Sequence, residues 1–358
     1  MRFLTRILLV VLVSASVTAI AGDSPLDRRP QPWQRRDQPI LSARTTKQAW
    51  CRIVTYSPHV IYHDGLFRMW YLGTSEASRS NDIVMGYAES EDGIQWNEHP
   101  GNPILTGKDI SWGRLIQTPF VVHDAATGLF RMWFVSGDGV TRDESGKKII
   151  GNDQKLAYAT SKDGIRWTVH DKPLFPVGRS PSVVRVAPDR YRMWMGSRPD
   201  PNVVNGELYR NIYEFTSQDG LAWQRSRKPV VTPSGPANST VYPFVIRHND
   251  QWYMWYGCHI DGGLFEIFCA TSRDGTNWDI DHEHPAFPAA AGKARFDSKY
   301  TSTPCIVRVG DRLLLYYSAR DWQTKYIDGK GRKRRDGAGV YAHIGVAELS
   351  LELNTGRK

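Results

Sequence analysis

Residues 57–96 carry three short runs: Ser57-Pro58-His59-Val60-Ile61-Tyr62, Phe67-Arg68-Met69-Trp70-Tyr71, and Gly86-Tyr87-Ala88-Glu89-Ser90-Glu91-Asp92-Gly93-Ile94-Gln95-Trp96. Each run is short, bounded by turn formers and rich in aromatic and β-branched residues, which spells strands rather than helices. Asp92-Gly93 makes a tight reversal because glycine accepts positive φ without a steric penalty. The pattern recurs along the chain. Ser57-Pro58, Thr118-Pro119, Ser180-Pro181, Tyr242-Pro243 and Thr303-Pro304 each open an apolar strand, and their prolines stand 61, 62, 62 and 61 residues apart. Second strands follow at Phe130-Arg131-Met132-Trp133-Phe134, Tyr191-Arg192-Met193-Trp194-Met195, Tyr253-Met254-Trp255-Tyr256 and Leu315-Tyr316-Tyr317, and third strands at Ala157-Tyr158-Ala159, Tyr213-Glu214-Phe215, Phe268-Cys269-Ala270 and Gly345-Val346-Ala347. A tryptophan lies four residues after each turn aspartate, in the pairs Asp92/Trp96, Asp163/Trp167, Asp219/Trp223 and Asp274/Trp278.

Each unit reads as a four-stranded antiparallel sheet that cannot bury both of its apolar faces alone, so the units must stack around an axis. The expectation is an all-β fold, a five-bladed β-propeller over residues 33–350. The fifth unit lacks the Asp-Gly-x-x-Trp hairpin. Its missing strand is found at the other end, where Trp33 to Pro39-Ile40-Leu41 copies Trp96 to Pro103-Ile104-Leu105 and Trp167 to Pro173-Leu174-Phe175. The amino-terminal strand is therefore expected to complete the last blade and close the ring, leaving few open sheet edges.

The 358 residues are 41% hydrophobic and 23% charged, with 31 glycines, 13 tryptophans, 16 tyrosines and 12 phenylalanines, a turn-rich globular composition that excludes a disordered or collagenous chain. Arg2, Arg6, the apolar run Ile7 to Val13 and Ala19-Ile20-Ala21 read as a signal peptide over 1–21, followed by a linker over 22–32 and, after the propeller, a tail over 351–358. A secreted or periplasmic protein is expected, without a membrane domain or nucleic-acid partner, and as a monomer. A net charge of +9 favours an anionic partner over a neutral one. The four cysteines either bridge as Cys51 to Cys305 and Cys258 to Cys269 or stand as small buried thiols.

Loop lengths point to one face. From the strand-opening proline to the second-strand aromatic, units one to four count 12 to 14 residues, whereas from that tryptophan to the turn aspartate they count 22, 30, 25 and 19. Length variation thus gathers at the end where first strands begin, here termed the upper face, and a site grafted on a repeated scaffold belongs there. Trp50, Trp112 and Trp322 fall in upper-face loops where the repeat does not require them, as sugar-stacking platforms or as loop pins. Arg179, Arg198 and Arg320 lie there too, and guanidinium groups hold carboxylates, sulfates or hydroxyls through paired hydrogen bonds. Six basic residues between Lys325 and Arg335 form a further long loop on this face. His59 and His259 lack the spacing of a zinc site, and the chain holds no phosphate loop, dinucleotide fingerprint or nucleophile elbow.

The Pro-apolar strand, the aromatic second strand and Ala88-Glu89-Ser90-Glu91-Asp92-Gly93-Ile94-Gln95-Trp96 resemble the five-bladed propeller glycosidases: arabinanases, β-xylosidases, invertases and mannoside phosphorylases. The resemblance covers residues ~33 to 350 and implies a carbohydrate substrate. In the arabinanase and invertase branches, acidic residues beside the strand-opening prolines carry catalysis; here those positions are Ser57, Thr118, Ser180, Tyr242 and Thr303. Cleavage needs two carboxyl groups flanking the bond, so the catalytic candidates are the upper-face acids Asp138, Glu266 and Asp321, with Asp261 and Asp297 behind them. Substrate-binding candidates are Trp112, Gln117, Arg179, Arg198, Tyr242, His259, Arg320 and Trp322. No cofactor is called for, and a central calcium ion is left open. Three activities fit: a glycoside hydrolase, a noncatalytic glycan-binding propeller, and a phosphorylase using Arg179, Arg198 and His259. Glu214, mid-strand in the third unit, is expected in a buried ion pair.

Overall fold

A computed structural model describes residues 24–75, 83–138, 140–142, 148–150, 154–200, 210–327, 331–335 and 342–351. The segment expected as a signal peptide, the start of the expected linker and the tail beyond Leu351 lie outside these residues. The described chain is all-β, with helix confined to short 3-10 turns, and no helix is long and apolar enough to cross a membrane.

The repeat read from the sequence sets the strands. The first unit pairs Val54–His63, Leu66–Thr74, Val84–Ser90 and Asn97–Glu98 in order. The second and third follow the same plan from Gln117–Asp124 and Arg179–Ala187. In the fourth, Val241–His248, Gln251–Ile260 and Leu264–Ser272 pair in turn, and the outer edge is made by the bridges Thr271 to Asp279 and Ile267 to Phe287. The fifth pairs Tyr300–Val309, Arg312–Arg320 and Ala342–Ser350. Its outer position is taken by the amino-terminal segment: Arg35 lies opposite Ala347 and Leu41 opposite Ile344. This register matches Glu98 opposite Ala88 and Leu105 opposite Met85 in the first unit. Each first strand packs against the next, and Tyr300–Val309 packs against Val54–His63.

One hydrogen bond repeats between units. The buried second-strand tryptophan donates its indole N–H to the glycine carbonyl of the next unit's Asp-Gly turn: Trp70 to Gly164 at 2.7 Å, Trp133 to Gly220 at 2.8 Å and Trp194 to Gly275 at 3.0 Å. Tyr316 in the fifth unit donates to Gly93 of the first at 2.9 Å. The fourth unit faces no such turn. There Trp255 donates to the side-chain Oε1 of Gln31 at 2.8 Å, and Trp33 donates to the same atom at 2.9 Å, as Trp167 and Trp223 do to Gly164 and Gly220. A glutamine amide thus replaces a turn carbonyl. Trp252, in the turn between first and second strands by the repeat, is instead a buried strand residue whose ring centroid lies 5.5 Å from that of Trp194, tilted by 52°.

Each Asp-Gly turn is tied by its own side chains. Asp163 accepts from the backbone N–H of Ile165 and Arg166, and Ser161 accepts from Gly164; the same set recurs at Asp92, Asp219 and Asp274. Backbone N–H donors hold Asp92, Asp219 and Asp274 below the usual carboxylate range. Burial opposes this at Asp163, yet the N–H donors of Arg166 and Ile165 bring it to about 2. A depressed folded-state pKa contributes stability above the unfolded value, about 4, that is lost as pH falls through the folded one. These aspartates are therefore expected to make urea midpoints fall as pH drops from about 4 to 2; midpoints unchanged between about pH 4 and 2 contradict these ties.

Glu214 forms the ion pair expected of it, accepting from Arg192 at 2.6 and 2.7 Å and from Thr276 at 2.8 Å. The disulfides do not form, and all four cysteines are free and buried. Cys258 lies opposite Glu266 and Cys269 opposite Trp255, three positions out of register. Cys51 packs beside Gly73 near the start of the first strand, while Cys305 Sγ accepts from Val60 N, well down that strand, at 3.2 Å. Neither pair meets the close Cα approach that a disulfide requires.

Candidate functional site at the upper face

The residue before each strand-opening proline has a left-handed backbone: φ is 53° at Ser57, 44° at Thr118, 58° at Ser180, 60° at Tyr242 and 47° at Thr303. Positive φ is uncommon outside glycine. At the same place every first strand carries a register shift against its second strand, between Tyr56 and His59 and at the four equivalent points. A bulge turns the strand and re-aims a side chain. Here five bulges turn five hydroxyl-bearing residues onto one cavity of about 30 Å³, which the prolines and His59, Phe120 and Phe244 also line. Two residues further along the strands, those last three pack together, with ring centroids 4.6 to 6.1 Å apart. Burial lowers the His59 pKa to about 4, so the ring is neutral and bonded to the Val121 carbonyl at 2.8 Å, a structural histidine.

Around this mouth stand residues one step earlier in the same register. Tyr56 donates to Gln117 Oε1 at 3.0 Å. Arg179, buried, donates to Gln154 Oε1 and to the Tyr242 hydroxyl, both at 2.9 Å. Burial pushes the Tyr56 hydroxyl pKa up, and the positive charge of Arg179 opposes the rise. The Tyr242 ring lies 5.9 Å from that of Phe265, tilted by 49°, and Phe265 meets His259 at 4.4 Å and Tyr300 at 5.7 Å. Arg320 and Lys299 lie 5.9 and 5.7 Å from the Tyr300 ring. The structure thus joins Gln117, Arg179, Tyr242, His259 and Arg320 into one surface, and adds Tyr56, Gln154, Lys299 and Tyr300, which sequence reasoning missed. Tyr56 had a signal: it holds the same register position as Gln117 and Arg179.

The remaining candidates stand further out. Trp112 donates to the His170 carbonyl at 3.0 Å, pinning its loop to the outer strand of the second unit. Trp322 is 38% exposed, donates to Ser298 and has the Lys299 ammonium 5.0 Å from its ring. Arg198 is buried, and its carbonyl accepts from Arg225. Trp50 packs on Tyr71 and so closely over Gly73 and Gly86 that no larger side chain fits beneath it.

The three acids each keep different company. Asp138 is exposed just past the second strand of the second unit. Glu266 is buried, accepts from the Ala289 N–H at 2.8 Å, and has its pKa raised by burial. Asp321 is buried, paired with Arg44, and accepts from the Gln323 N–H at 2.9 Å. Asp297 is fully buried and accepts from Arg35, Arg295 and Tyr317, binding the amino-terminal strand to the fifth unit. Asp261 meets Asn238 at 3.3 Å. In the basic loop, Lys325–Ile327 pairs with Lys333–Arg335, and Lys330 lies outside the described residues. Among the described residues no group of three or more His, Cys, Asp or Glu side chains is disposed to hold a metal ion. The axial hydroxyls, without a carboxylate among the cavity lining, do not fit calcium, which takes six to eight oxygen ligands, carboxylates prominent among them.

No family model matches the chain. An uncharacterized protein of Mycobacterium tuberculosis is 30% identical over 128 residues, 35% of this chain, and the chain spans 42% of that relative's length. A 1,2-beta-oligomannan phosphorylase of a Thermoanaerobacter species is 22% identical over 242 residues, 64% of this chain and 73% of that protein. Among solved structures, one from a study of glycoside hydrolases in the GH130 family of mannoside phosphorylases superposes with a TM-score of 0.62 at 17% identity, covering 89% of this chain and 93% of the other. The fold is that of the propeller glycosidases.

Proposed function

We propose that this chain is an exported, five-bladed propeller, closed by its amino-terminal segment, that engages an anionic glycan at the upper axial mouth and hydrolyses it with upper-face carboxylates. One observation carries the reading: five bulged first strands bring their pre-proline hydroxyls to one axial cavity, with Arg179 bonded to Tyr242 of its lining and Tyr56 bonded to Gln117 one residue before it. A mouth built from a buried guanidinium, an amide and phenols suits hydroxyl- and acid-bearing sugars. The relatives named above support a carbohydrate as substrate. Export rests on the residues of the signal sequence.

In this reading Glu266, whose pKa burial raises, is the proton donor, and Asp138 or Asp321 supplies the second carboxylate. Trp322 offers an exposed ring to a sugar face. Incubation with a panel of plant and algal glycans and a reducing-end assay tests the reading, with Asp138→Asn, Glu266→Gln and Asp321→Asn assayed singly. Loss of a general acid or base costs about 10²–10⁴-fold in rate, so a fall of at least about 10²-fold is expected in Glu266→Gln. Unchanged rates in all three variants refute the assignment.

The absence of a carboxylate from the axial lining favours a second reading, a propeller that binds glycan without cutting it. Binding without product supports that reading. Product formed only with inorganic phosphate transfers the assignment to a phosphorylase.

A further inference from the structure

The axial cavity sits at the centre of the proposed glycan site, yet it holds no catalytic acid. Its five pre-proline residues, Ser57, Thr118, Ser180, Tyr242 and Thr303, all carry hydroxyl groups. Three of these hydroxyls, or the backbone beside them, are engaged within the protein. Thr303 and Ser318 share a short hydroxyl contact, Ser318 accepts from Ser57 N–H at 2.6 Å, and Tyr242 accepts from Arg179 at 2.9 Å. Thr118 Oγ1 and Ser180 Oγ differ. Both residues are 5% exposed and line the cavity, and neither oxygen has a protein partner. An unsatisfied buried hydroxyl costs about 1–3 kcal/mol, so two at one point mark a place where a ligand completes the bonding.

Size and charge define that ligand. A cavity of about 30 Å³ is far below the roughly 300–1,000 Å³ of a pocket that swallows a small molecule, though above the roughly 10–15 Å³ that one water needs. It takes a substituent of two or three heavy atoms, with the sugar ring left outside at the mouth. Hydroxyl groups can donate, and Arg179 is bonded at 2.9 Å to Tyr242 in the cavity lining. Donors below and a cation beside the lining match an acceptor-only, negatively charged group. A carboxylate has this size and valence, whereas the five heavy atoms of a sulfate exceed the space.

We infer that the axial cavity is a carboxylate subsite, in which Thr118 and Ser180 donate to the acid group of a uronic-acid residue while Arg179 neutralises it. The inference rests on the carbohydrate reading and narrows it to uronate-containing glycans. Specificity here arises because a neutral hydroxymethyl in the same place gains less from the Arg179 guanidinium than a carboxylate does.

The test uses galacturonan, mannuronan, guluronan and glucuronan oligosaccharides, each native and carboxyl-reduced, titrated calorimetrically into the full chain. At least one native oligosaccharide is expected to bind about 10-fold or more tighter than its reduced form, the range of one charge-assisted hydrogen bond. Ser180→Ala and, independently, Thr118→Val are expected to cut that preference about 3- to 10-fold while leaving affinity for the reduced form within about twofold. Melting curves confirm that each variant is folded, and either variant alone suffices. Equal binding of native and reduced forms overturns the carboxylate subsite and leaves the carbohydrate reading standing, as does a variant that weakens both forms alike. Binding to none of the oligosaccharides overturns this inference, and only the wider glycan panel then judges the carbohydrate reading.

Discussion

Trp133→Ala is expected to lower unfolding free energy by about 3–5 kcal/mol, the range for emptying a buried aromatic site. The side chain is fully buried, and its indole N–H is spent on the Gly220 carbonyl of the neighbouring unit at 2.8 Å. Alanine removes apolar packing from the space between two sheets and deprives a turn carbonyl of its donor. The cavity cannot collapse easily, because Tyr158, 5.5 Å away, and the Arg131 guanidinium, 5.1 Å away, are fixed by their own hydrogen bonds. Trp133→Phe separates the two contributions: it keeps most of the packing, loses the donor and is expected to cost about 1–3 kcal/mol. Urea unfolding read by circular dichroism measures both. A loss under about 1 kcal/mol for Trp133→Ala contradicts the view that these tryptophans hold adjacent sheets together.

Gln31→Leu probes the same contact where the repeat fails. Gln31 is buried, its Oε1 accepts from Trp33 and Trp255, and its Nε2 donates to the Leu26 carbonyl at 2.7 Å. Leucine has similar bulk but no polar atoms, leaving two indole N–H groups unpaired, while the Leu26 carbonyl keeps its bond from Arg29 at 2.8 Å. At about 1–3 kcal/mol for each buried unsatisfied group, the expected loss is about 2–6 kcal/mol, larger than a surface strand end could produce. A change within about 0.5 kcal/mol, the range of ordinary surface substitutions, contradicts an integral role for residues 24–42.

These two sites also show how far the sequence could be read. Trp133 announces itself because its position recurs in the second strands and because an apolar strand period leaves little choice of face. The Trp33 segment was legible for the same reason, by its likeness to the segments after Trp96 and Trp167. Gln31 was not, since a single side chain standing in for a backbone carbonyl has no repeat partner to reveal it. The left-handed residues before the prolines were equally hidden: Ser, Thr and Tyr give no sign of positive φ, and only the shared bulge shows it. The cysteine bridges failed on register, since consecutive strands place Cys258 and Cys269 three positions apart, a distance that strand assignment alone does not fix. Arg179, Gln117 and Tyr242 could be placed beside the strand-opening prolines from sequence because they belong to the first-strand register. Asp138, Glu266 and Asp321 come from variable loops or strand ends, where no repeat dictates which way a carboxylate faces.

A crystal structure of the full chain with the tightest-binding glycan of the panel tests the account most directly. The account predicts a sugar lying over the axis on the upper side, contacting Arg179 and Tyr242, with one acid substituent directed between Thr118 and Ser180. A sugar seated among the Asp-Gly turns, or on the outer edge of a sheet away from the axis, would contradict it.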